Sequence, residues 1–266
     1  MLINGLDLVV IDEGTSDVPL VLVHGFTGGA CDFDDVAPAL AQNLRVIRYD
    51  HRGHAGSHNF GDESAYTFDA LVGDLHALVD ALGLDQFDLL GHSMGGVTAM
   101  RYVLSHPERV RSLILMDTGA AISGIIPIDF LEGFANQARA AGSMQPVADA
   151  WSGAVDAMQA HLPEARRTEI KARLQQKMGG MDPEAFMGFA RALNTYPSMV
   201  DDLKTISCPT TVIVGENDEG LRDASDVMAR EIPGAELFVI PGAGHSPQED
   251  DPAAWLEVVE KHLARV

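Results

Sequence analysis

The sequence predicts an α/β fold, in which a mostly parallel β-sheet is covered by helices on both faces. Short strand-like runs alternate with amphipathic helical runs over residues 1–120 and again over residues 201–266, and this alternation is typical of parallel sheets. The run Val21-Leu22-Val23 is apolar at consecutive positions, as expected of a strand buried on both faces. With 266 residues, the chain is long enough to bury a large core without disulfides or metals.

The individual elements follow from local patterns. Runs rich in β-branched and other apolar residues predict strands over Leu6 to Ile11, Leu20 to Val23, Arg45 to Tyr49, Phe87 to Leu90, Val110 to Met116, Thr210 to Val214 and Glu236 to Ile240. Amphipathic runs predict helices over Asp34 to Gln42, Thr67 to Leu82, Met94 to Ser105, near Ala224 to Arg230, and from about Asp251 to Leu263. Thr67 begins the second of these, directly before its first apolar residue, and is a good N-cap.

Residues 121–200 have a different character, because strand patterns disappear and helical spacing takes over, as in Ile170/Leu174/Met178. We therefore predict one core domain formed by residues 1–120 and 201–266, with 121–200 as an inserted helical subdomain. More than half of the 11 methionines lie in the insertion, namely Met144, Met158, Met178, Met181, Met187 and Met199. Flexible thioethers suit both a small helical core and the lining of an apolar pocket, and both interpretations stay open.

The insertion also carries a cluster of basic residues: Arg166, Arg167, Lys171, Arg173 and Lys177. Such a cluster could recruit an anionic substrate. Because Glu164 and Glu169 are interleaved with it, we instead expect a solvated helix face.

Charge and composition exclude several classes of partner. The chain has 18 Lys and Arg against 39 Asp and Glu, a net charge of −21, which opposes binding to nucleic acid or to anionic membranes. No apolar run approaches the roughly 18–20 residues that span a bilayer. Cys31 and Cys208 are too few for a disulfide scaffold and show no metal-ligand spacing. The first basic residue is Arg45, so a secretory signal is not indicated and a cytoplasmic location is expected.

The clearest chemical motif is Gly91-His92-Ser93-Met94-Gly95, which fits G-x-S-x-G between a predicted strand and a predicted helix. The chain must turn sharply here, so the positions two before and two after the serine have to be small. A strained turn of this kind exposes the serine hydroxyl at the carboxyl end of the sheet. Ser93 is therefore the predicted nucleophile.

Serine is a weak nucleophile on its own and needs a base and an acid that orients the base. Asp218 comes just after the strand predicted over Thr210 to Val214, and His245 lies in a glycine-rich loop after the strand predicted over Glu236 to Ile240. The order Ser, Asp, His is one of the known chain orders of such triads. We predict Ser93, Asp218 and His245 as the catalytic residues.

Other polar residues at the same sheet edge are alternatives. Asp117 follows the strand that ends at Met116 and is the second candidate for the triad acid, although it also begins the helical insertion and could cap it. The remaining histidines at this edge are expected to be structural, and the one beside the nucleophile is expected to pack beneath the turn. They are His24, His51, His54, His58 and His92.

Over nearly its whole length the chain resembles the α/β-hydrolase superfamily. The matching segments are His24-Gly25, Asp50-His51-Arg52-Gly53-His54, the turn at Ser93, Gly215 to Asp218 and Gly244-His245. The resemblance implies the α/β-hydrolase fold, a mostly parallel eight-stranded sheet with residues 121–200 as a helical cap. It also implies an oxyanion hole formed by the amides of Phe26 and Met94, and a reaction that needs no cofactor or metal.

One matching segment departs from the family pattern. The stretch Asp50 to Ser57 is similar to the family's D-x-R-G-H-G-x-S, but Ala55 replaces a glycine. The hydrogen bonds of a tight turn would account for Asp50, Arg52 and Ser57, so we expect a structural role for them.

A serine at the turn, where haloalkane dehalogenases and epoxide hydrolases carry aspartate, implies attack on an acyl carbon. We predict a serine carboxylesterase whose partner is a small-molecule ester or lactone, largely uncharged, with a homo-oligomeric assembly left open. A lactonase or enol-lactonase is the main alternative. A C–C hydrolase or lyase and a non-hydrolytic ligand receptor are further alternatives. Two similarities are weakened by substitutions: Val97 stands where menaquinone-pathway SHCHC synthases place arginine, and Ser246 where C–C hydrolases place tryptophan.

Overall fold

The computed structural model describes residues 1–121, 127–159 and 162–266, and the predicted role of the Met158 side chain lies outside what it describes. The strands are β1 Leu2–Ile3, β2 Leu6–Asp7, β3 Val10–Gly14, β4 Leu20–Val23, β5 Arg45–Tyr49, β6 Phe87–His92, β7 Val110–Met116, β8 Thr210–Gly215 and β9 Glu236–Ile240. The helices are α1 Ala37–Leu40, α2 Phe68–Ala81, α3 Met94–Ser105, α4 Ile128–Ala141, α5 Gln145–Met158, α6 Glu164–Gly179, α7 Pro183–Thr195, α8 Glu219–Glu231, α9 Pro247–Asp250 and α10 Pro252–Leu263.

The main sheet confirms the predicted α/β fold. Its strand order is β3-β5-β4-β6-β7-β8-β9, and only β3 runs antiparallel to its neighbour. The described residues place seven strands in this sheet rather than the predicted eight. The remaining strands, β1 and β2, pair with each other in a separate hairpin, because Asn4 and Gly5 turn the chain with φ values of 52° and 77°. The single strand predicted over Leu6 to Ile11 is therefore split between β2 and β3.

Helices cover both faces of the sheet. One apolar cluster includes residues of α2, α3 and α8, and a second lies on the opposite face with residues of α1 and α10, among them the fully buried Trp255. Thr67 caps α2 as predicted, with its hydroxyl accepting from the amide of Ala70 at 3.2 Å. None of the described helices is long and apolar enough to cross a bilayer.

The parallel strands bring their carboxyl ends to one edge of the sheet, where the candidate residues gather. Every residue of β6 is buried, and so is every residue of β8. The loops that follow β4, β6, β7, β8 and β9 therefore start from fixed points on a rigid sheet.

Four helices, α4 to α7, lie between β7 and β8, where the sequence predicts the inserted segment; its residues 122–126 and 160–161 lie outside the described parts. Apolar contact joins this segment to the core, since the ring of Phe186 stacks on Phe26 with centroids 5.3 Å apart. Hydrogen bonds join it as well. The amide of Asp182 donates to the carbonyl of Gly53 at 3.0 Å, and the Asp182 carboxylate accepts from the amide of Gly61 at 2.7 Å.

The prediction of a solvated basic face on α6 is wrong for three of its five cations. Their side chains are 13–19% exposed because they reach across to acidic residues of the core and form ion pairs there. The pairs are Arg166–Asp35, Arg173–Asp35, Arg173–Glu249 and Lys177–Asp32. Arg167 and Lys171 pair within the helical segment, with Asp156, and Arg166 also pairs there with Glu169. Spacing within one helix shows which charges share a face but not what faces them.

The loop of residues 50–57 has the predicted structural role. One carboxylate oxygen of Asp50 accepts from the amide of Ala30 at 2.7 Å, so this loop is tied to the segment after β4. Arg52 forms two hydrogen bonds of 2.6 Å with the buried carboxylate of Asp74 on α2. The side chains of Asp50 and Arg52 are therefore used to fix the loop to neighbouring parts of the fold.

Candidate active site

Ser93 lies at a strained turn between β6 and α3. Its φ of 53° and ψ of −118° fall in a region that non-glycine residues avoid, which indicates that surrounding structure holds it there. Its amide donates to the carbonyl of Met116 at 2.9 Å, and its carbonyl accepts from the hydroxyl of Thr118 at 2.7 Å. Both bonds tie the turn to the end of β7.

The two glycines of the motif are required by close backbone contacts. A Cβ at Gly95 would lie 2.2 Å from the carbonyl oxygen of Val23, and a Cβ at Gly91 would lie 2.4 Å from the carbonyl oxygen of Gly95. Real Cβ atoms do not approach oxygen this closely. The helix can thus start directly above the sheet, which leaves the Ser93 hydroxyl at the sheet edge.

The structure brings together the three residues predicted as the triad. His245 Nε2 lies 3.0 Å from Ser93 Oγ, and His245 Nδ1 lies 2.7 Å from Asp218 Oδ2. A carboxylate only accepts, so Nδ1 carries the proton and Nε2 is free to accept from the serine hydroxyl. This is the tautomer that a general base requires.

Burial and hydrogen bonding act against each other at Asp218. Burial alone would raise the pKa of Asp218, but the hydrogen bond and charge of His245 hold it below its usual value. The carboxylate is therefore ionised at neutral pH and can stabilise an imidazolium. The His245 side chain is 48% exposed, whereas that of Asp218 is 12% exposed. A substrate can reach the base while the acid stays shielded.

The loops that carry the acid and the base are bonded to each other. The amide of Asn217 donates to the carbonyl of Ala243 at 2.8 Å, and the amide of Gly242 donates to the Glu216 carboxylate at 2.8 Å. These contacts set the distance between the two loops through the backbone.

His92 is buried beneath the turn, as the sequence predicts. The structure adds a second contact: His92 Nε2 donates to the carbonyl oxygen of His245 at 2.7 Å. Burial, with His245 nearby, lowers the pKa of His92 to about 4, so the ring is neutral at neutral pH. Sequence reasoning missed this contact because a hydrogen bond to the backbone 153 residues away leaves no local pattern.

The predicted oxyanion amides belong to Phe26, after β4, and to Met94, at the start of α3. Within the described residues, neither the amide of Phe26 nor that of Met94 donates a hydrogen bond. A Cβ at Gly25 would lie 3.0 Å from the Cβ of Ser93, so the loop after β4 lies against the nucleophile. Two free amides beside a serine can stabilise a developing oxyanion.

The ring of His24 holds this loop from behind. His24 Nδ1 donates to the carbonyl of Gly25 at 2.8 Å, and Nε2 accepts from the amide of His51 at 2.9 Å. The carbonyl of a trans peptide points away from the amide of the same peptide. Holding the Gly25 carbonyl on one side therefore turns the amide of Phe26 to the other.

The histidines near this loop form a neutral buried cluster. Burial lowers the pKa of His24 and His51 well below the usual value and that of His54 to about 4. Ring centroids of His24 and His51 are 4.3 Å apart. Their contacts agree with the predicted structural role, whereas His58 is exposed and contacts Phe60.

One group among the described residues has the spacing of a metal site. Ligand atoms of Asp117, Asp218 and His245 lie within 4.8 Å of one another. In this group His245 Nδ1 is already hydrogen-bonded to Asp218, and Asp117 is completely buried. The donor set therefore fits a chain of proton donors and acceptors better than a metal ion.

Comparison with known proteins finds hydrolases of similar fold and sequence. The chain is similar to a thermophilic esterase from Thermogutta terrifontis, solved with malate bound, at 28% identity and a TM-score of 0.83 over 98% of this chain and 94% of the esterase. It is similar to the enol-lactonase from Burkholderia xenovorans at 25% identity, with a TM-score of 0.84 over 99% of each chain. A mouse relative, the sn-1-specific diacylglycerol lipase ABHD11, is 27% identical over 95% of this chain and 83% of its own length.

The family profile that describes the α/β-hydrolase fold matches residues 18–252, which span the whole sheet from β4 and all three candidate triad residues. Such a match covers most of the chain. The protein is thus a hydrolase that belongs to the α/β-hydrolase family.

Proposed function

We propose that this protein is a serine hydrolase that cleaves carboxylic esters through an acyl-enzyme on Ser93. The observation that carries the proposal is the continuous line of hydrogen bonds from Asp218 through His245 to Ser93, with distances of 2.7 and 3.0 Å. A serine aligned in this way is a nucleophile for acyl carbons.

The steps of the reaction follow from these positions. His245 Nε2 takes the hydroxyl proton as Ser93 Oγ attacks the ester carbonyl, and the oxyanion accepts from the amides of Phe26 and Met94. His245 then returns the proton to the leaving alcohol as the ester C–O bond breaks. Water, deprotonated by His245, attacks the acyl-enzyme, and protonation of Ser93 Oγ releases the acid.

A largely uncharged substrate is the class we propose. The cations of α6 that point toward the core already pair with carboxylates, so they offer no free charge to an anionic acyl group. The side chain next to the oxyanion loop is the Phe186 ring, which stacks on Phe26 and lies 5.8 Å from Trp151. In this proposal residues 121–200 form the cap that supplies apolar surface to the acyl chain.

The test is hydrolysis of p-nitrophenyl esters of increasing acyl length, with the wild type compared with Ser93→Ala and with an intact-mass measurement of the acyl adduct. Turnover with an adduct that disappears in Ser93→Ala supports the proposal. An unchanged rate in Ser93→Ala contradicts it. A matched anilide, cleaved as fast as the ester, would shift the assignment to amide bonds.

A lactonase is the second candidate, because the enol-lactonase covers 99% of this chain with a TM-score of 0.84. The same triad would open a cyclic ester and retain the product as one molecule. Assay of a lactone beside its open-chain ester separates the two activities, and a lactone preferred by more than about tenfold in kcat/KM would favour it.

Two results would favour the remaining alternatives. A fluorophosphonate that fails to label Ser93 in an active enzyme would indicate a lyase that uses His245 as a base alone. Absence of both turnover and labelling would favour a ligand receptor on the same fold.

A further inference from the structure

Asp117, which the sequence offered as an alternative triad acid, lies behind the triad instead of within it. It follows β7, is completely buried and has a φ of 43°, a left-handed conformation that is unfavourable for a residue with a side chain. Its amide donates to the carbonyl of Ile213 at 2.9 Å, and its Oδ1 accepts from the amide of Gly215 at 2.9 Å. The neighbouring strand β8 thus holds the carboxyl group in place.

The second oxygen of Asp117 has no donor. Within the described residues, no N–H or O–H reaches Oδ2, although the atom is buried. An oxygen of Asp218 lies within 4.8 Å of an Asp117 oxygen, as does a ring nitrogen of His245. An ionised carboxylate in this place would be buried with a single hydrogen bond and would face a second negative charge.

A proton on Asp117 removes both difficulties. The O–H would satisfy the free oxygen by donating to Asp218, and the two carboxyl groups would share one negative charge instead of carrying two. The titratable groups near Asp117 are Asp218, Asp250 and His245, and His245 and His92 also interact with Asp218.

We propose that Asp117 is a positioning residue that keeps its carboxyl proton at neutral pH and donates it to Asp218, so that a single negative charge faces His245. This inference rests on the proposed function, because His245 is the base whose strength it sets. A second full negative charge behind Asp218 would favour the imidazolium. The shared proton leaves a single negative charge opposite His245, whose Nε2 lies 3.0 Å from Ser93 Oγ.

The opposite shifts of the two carboxyl groups agree with this arrangement. Burial raises the pKa of Asp117 to about 9; the neighbouring Asp218 raises it as well, whereas the hydrogen bond from Gly215 lowers it. The pKa of Asp218 stays below its usual value. Paired carboxyl groups whose pKa values are driven apart are the usual sign of a shared proton.

The test compares Asp117→Asn with Asp117→Leu. Asn keeps both contacts, because its oxygen accepts from Gly215 and its NH₂ group donates to Asp218 without any charge. Leu removes the donor, concentrates the charge on Asp218 and strengthens its hold on the His245 proton. We expect the pKa of His245, measured by NMR in the Ser93→Ala background, to be unchanged in Asp117→Asn and to rise by about one unit in Asp117→Leu.

The same measurement can overturn the proposal. If Asp117 is ionised in the wild type, Asp117→Asn removes a negative charge and lowers the pKa of His245 by about one unit. An infrared band of a protonated carboxyl group at neutral pH, lost in Asp117→Asn, gives a second readout that remains usable if Asp117→Leu fails to fold. Absence of that band in the wild type also overturns the proposal.

Neither readout depends on turnover, so failure of this inference can be told from failure of the proposed function. If Asp117 is protonated but the protein hydrolyses no ester, the inference about Asp117 holds and the proposed esterase function is wrong. If the protein hydrolyses esters through Ser93 but Asp117 is ionised, the proposed function holds and the inference about Asp117 is wrong.

Discussion

In the proposed mechanism, one hydrogen bond of His24 serves activity and the other serves stability, and two substitutions separate them. Nδ1 donates to the Gly25 carbonyl and orients the amide of Phe26, while Nε2 accepts from the amide of His51. In His24→Asn the side-chain NH₂ group lies near the position of Nδ1 and keeps the donor. In His24→Gln the side-chain oxygen reaches the position of Nε2 and keeps the acceptor.

The sizes of the two effects follow from what each variant loses. Loss of a whole oxyanion donor lowers kcat by about 10²–10³-fold, and because His24 holds such a donor without supplying it, this range is an upper limit for His24→Gln. In His24→Asn the buried amide of His51 loses its acceptor, which costs about 1–3 kcal/mol of stability. The Gly25 carbonyl keeps the amide of Gly28 at 3.1 Å in both variants, so His24→Gln is the more stable of the two.

The assay is kcat and KM for a p-nitrophenyl ester, together with urea unfolding of both variants. We expect His24→Gln to be slow but stable, with KM little changed, and His24→Asn to be active but less stable. Affinity for a trifluoromethyl ketone, which forms the tetrahedral adduct on serine, should fall in parallel with kcat/KM in His24→Gln. If His24→Asn is as slow as His24→Gln, the ring does not act through the Phe26 amide, and the reasoning fails.

Three further predictions follow from the same structure. Asp218→Asn should lower kcat by a factor on the order of 10⁴ with little change in KM, because the Asn amide can donate to Nδ1 and favour the wrong tautomer of His245. A much smaller fall in kcat, measured by steady-state kinetics, would contradict this role of Asp218. Phe186→Ala should cost about 3–5 kcal/mol of stability, because the ring is completely buried against Phe26, and Phe186→Leu should cost less in the same urea titration. The free energy of unfolding should fall as the pH drops from about 6.5 to about 4, by up to about 3 kcal/mol for each buried neutral histidine such as His92. The reason is that these histidines bind a proton in the unfolded chain but stay neutral in the folded protein. A free energy of unfolding that does not change over this pH range would contradict their burial.

The nucleophile could be predicted from the sequence because its constraints are local. A serine between two glycines, after an apolar run and before a helical one, is specified within about ten residues. The contacts of Gly91 and Gly95 with backbone oxygens show why no other residue fits. Strands β4, β5, β7 and β9 also match their predicted bounds, and in β4 the continuous apolar run records burial on both faces.

The sequence favours Asp218 over Asp117 as the triad acid only because Asp117 begins the helical insertion and could cap it. Both follow a parallel strand at the same edge, and the structure brings an oxygen of each within 4.8 Å of the His245 ring. What separates them is the hydrogen bond of 2.7 Å to Nδ1, which only Asp218 makes. That difference depends on how two loops approach each other in space, and the order of residues in the chain does not contain it.

The base is held mainly through its backbone, which decides how variants at this site can be interpreted. A Cβ at Gly215 would lie 2.0 Å from the carbonyl oxygen of Gly244, so the loops after β8 and β9 pass each other at contact distance just before His245. The carbonyl of His245 also accepts from His92, at the end of β6. Three strands of one rigid sheet thus fix the position of the imidazole. The Ser93 side chain takes no part in that backbone support, and Asp117→Asn keeps the acceptor for the Gly215 amide. A shift in the pKa of His245 in Asp117→Asn therefore measures charge and hydrogen bonding without a movement of the backbone.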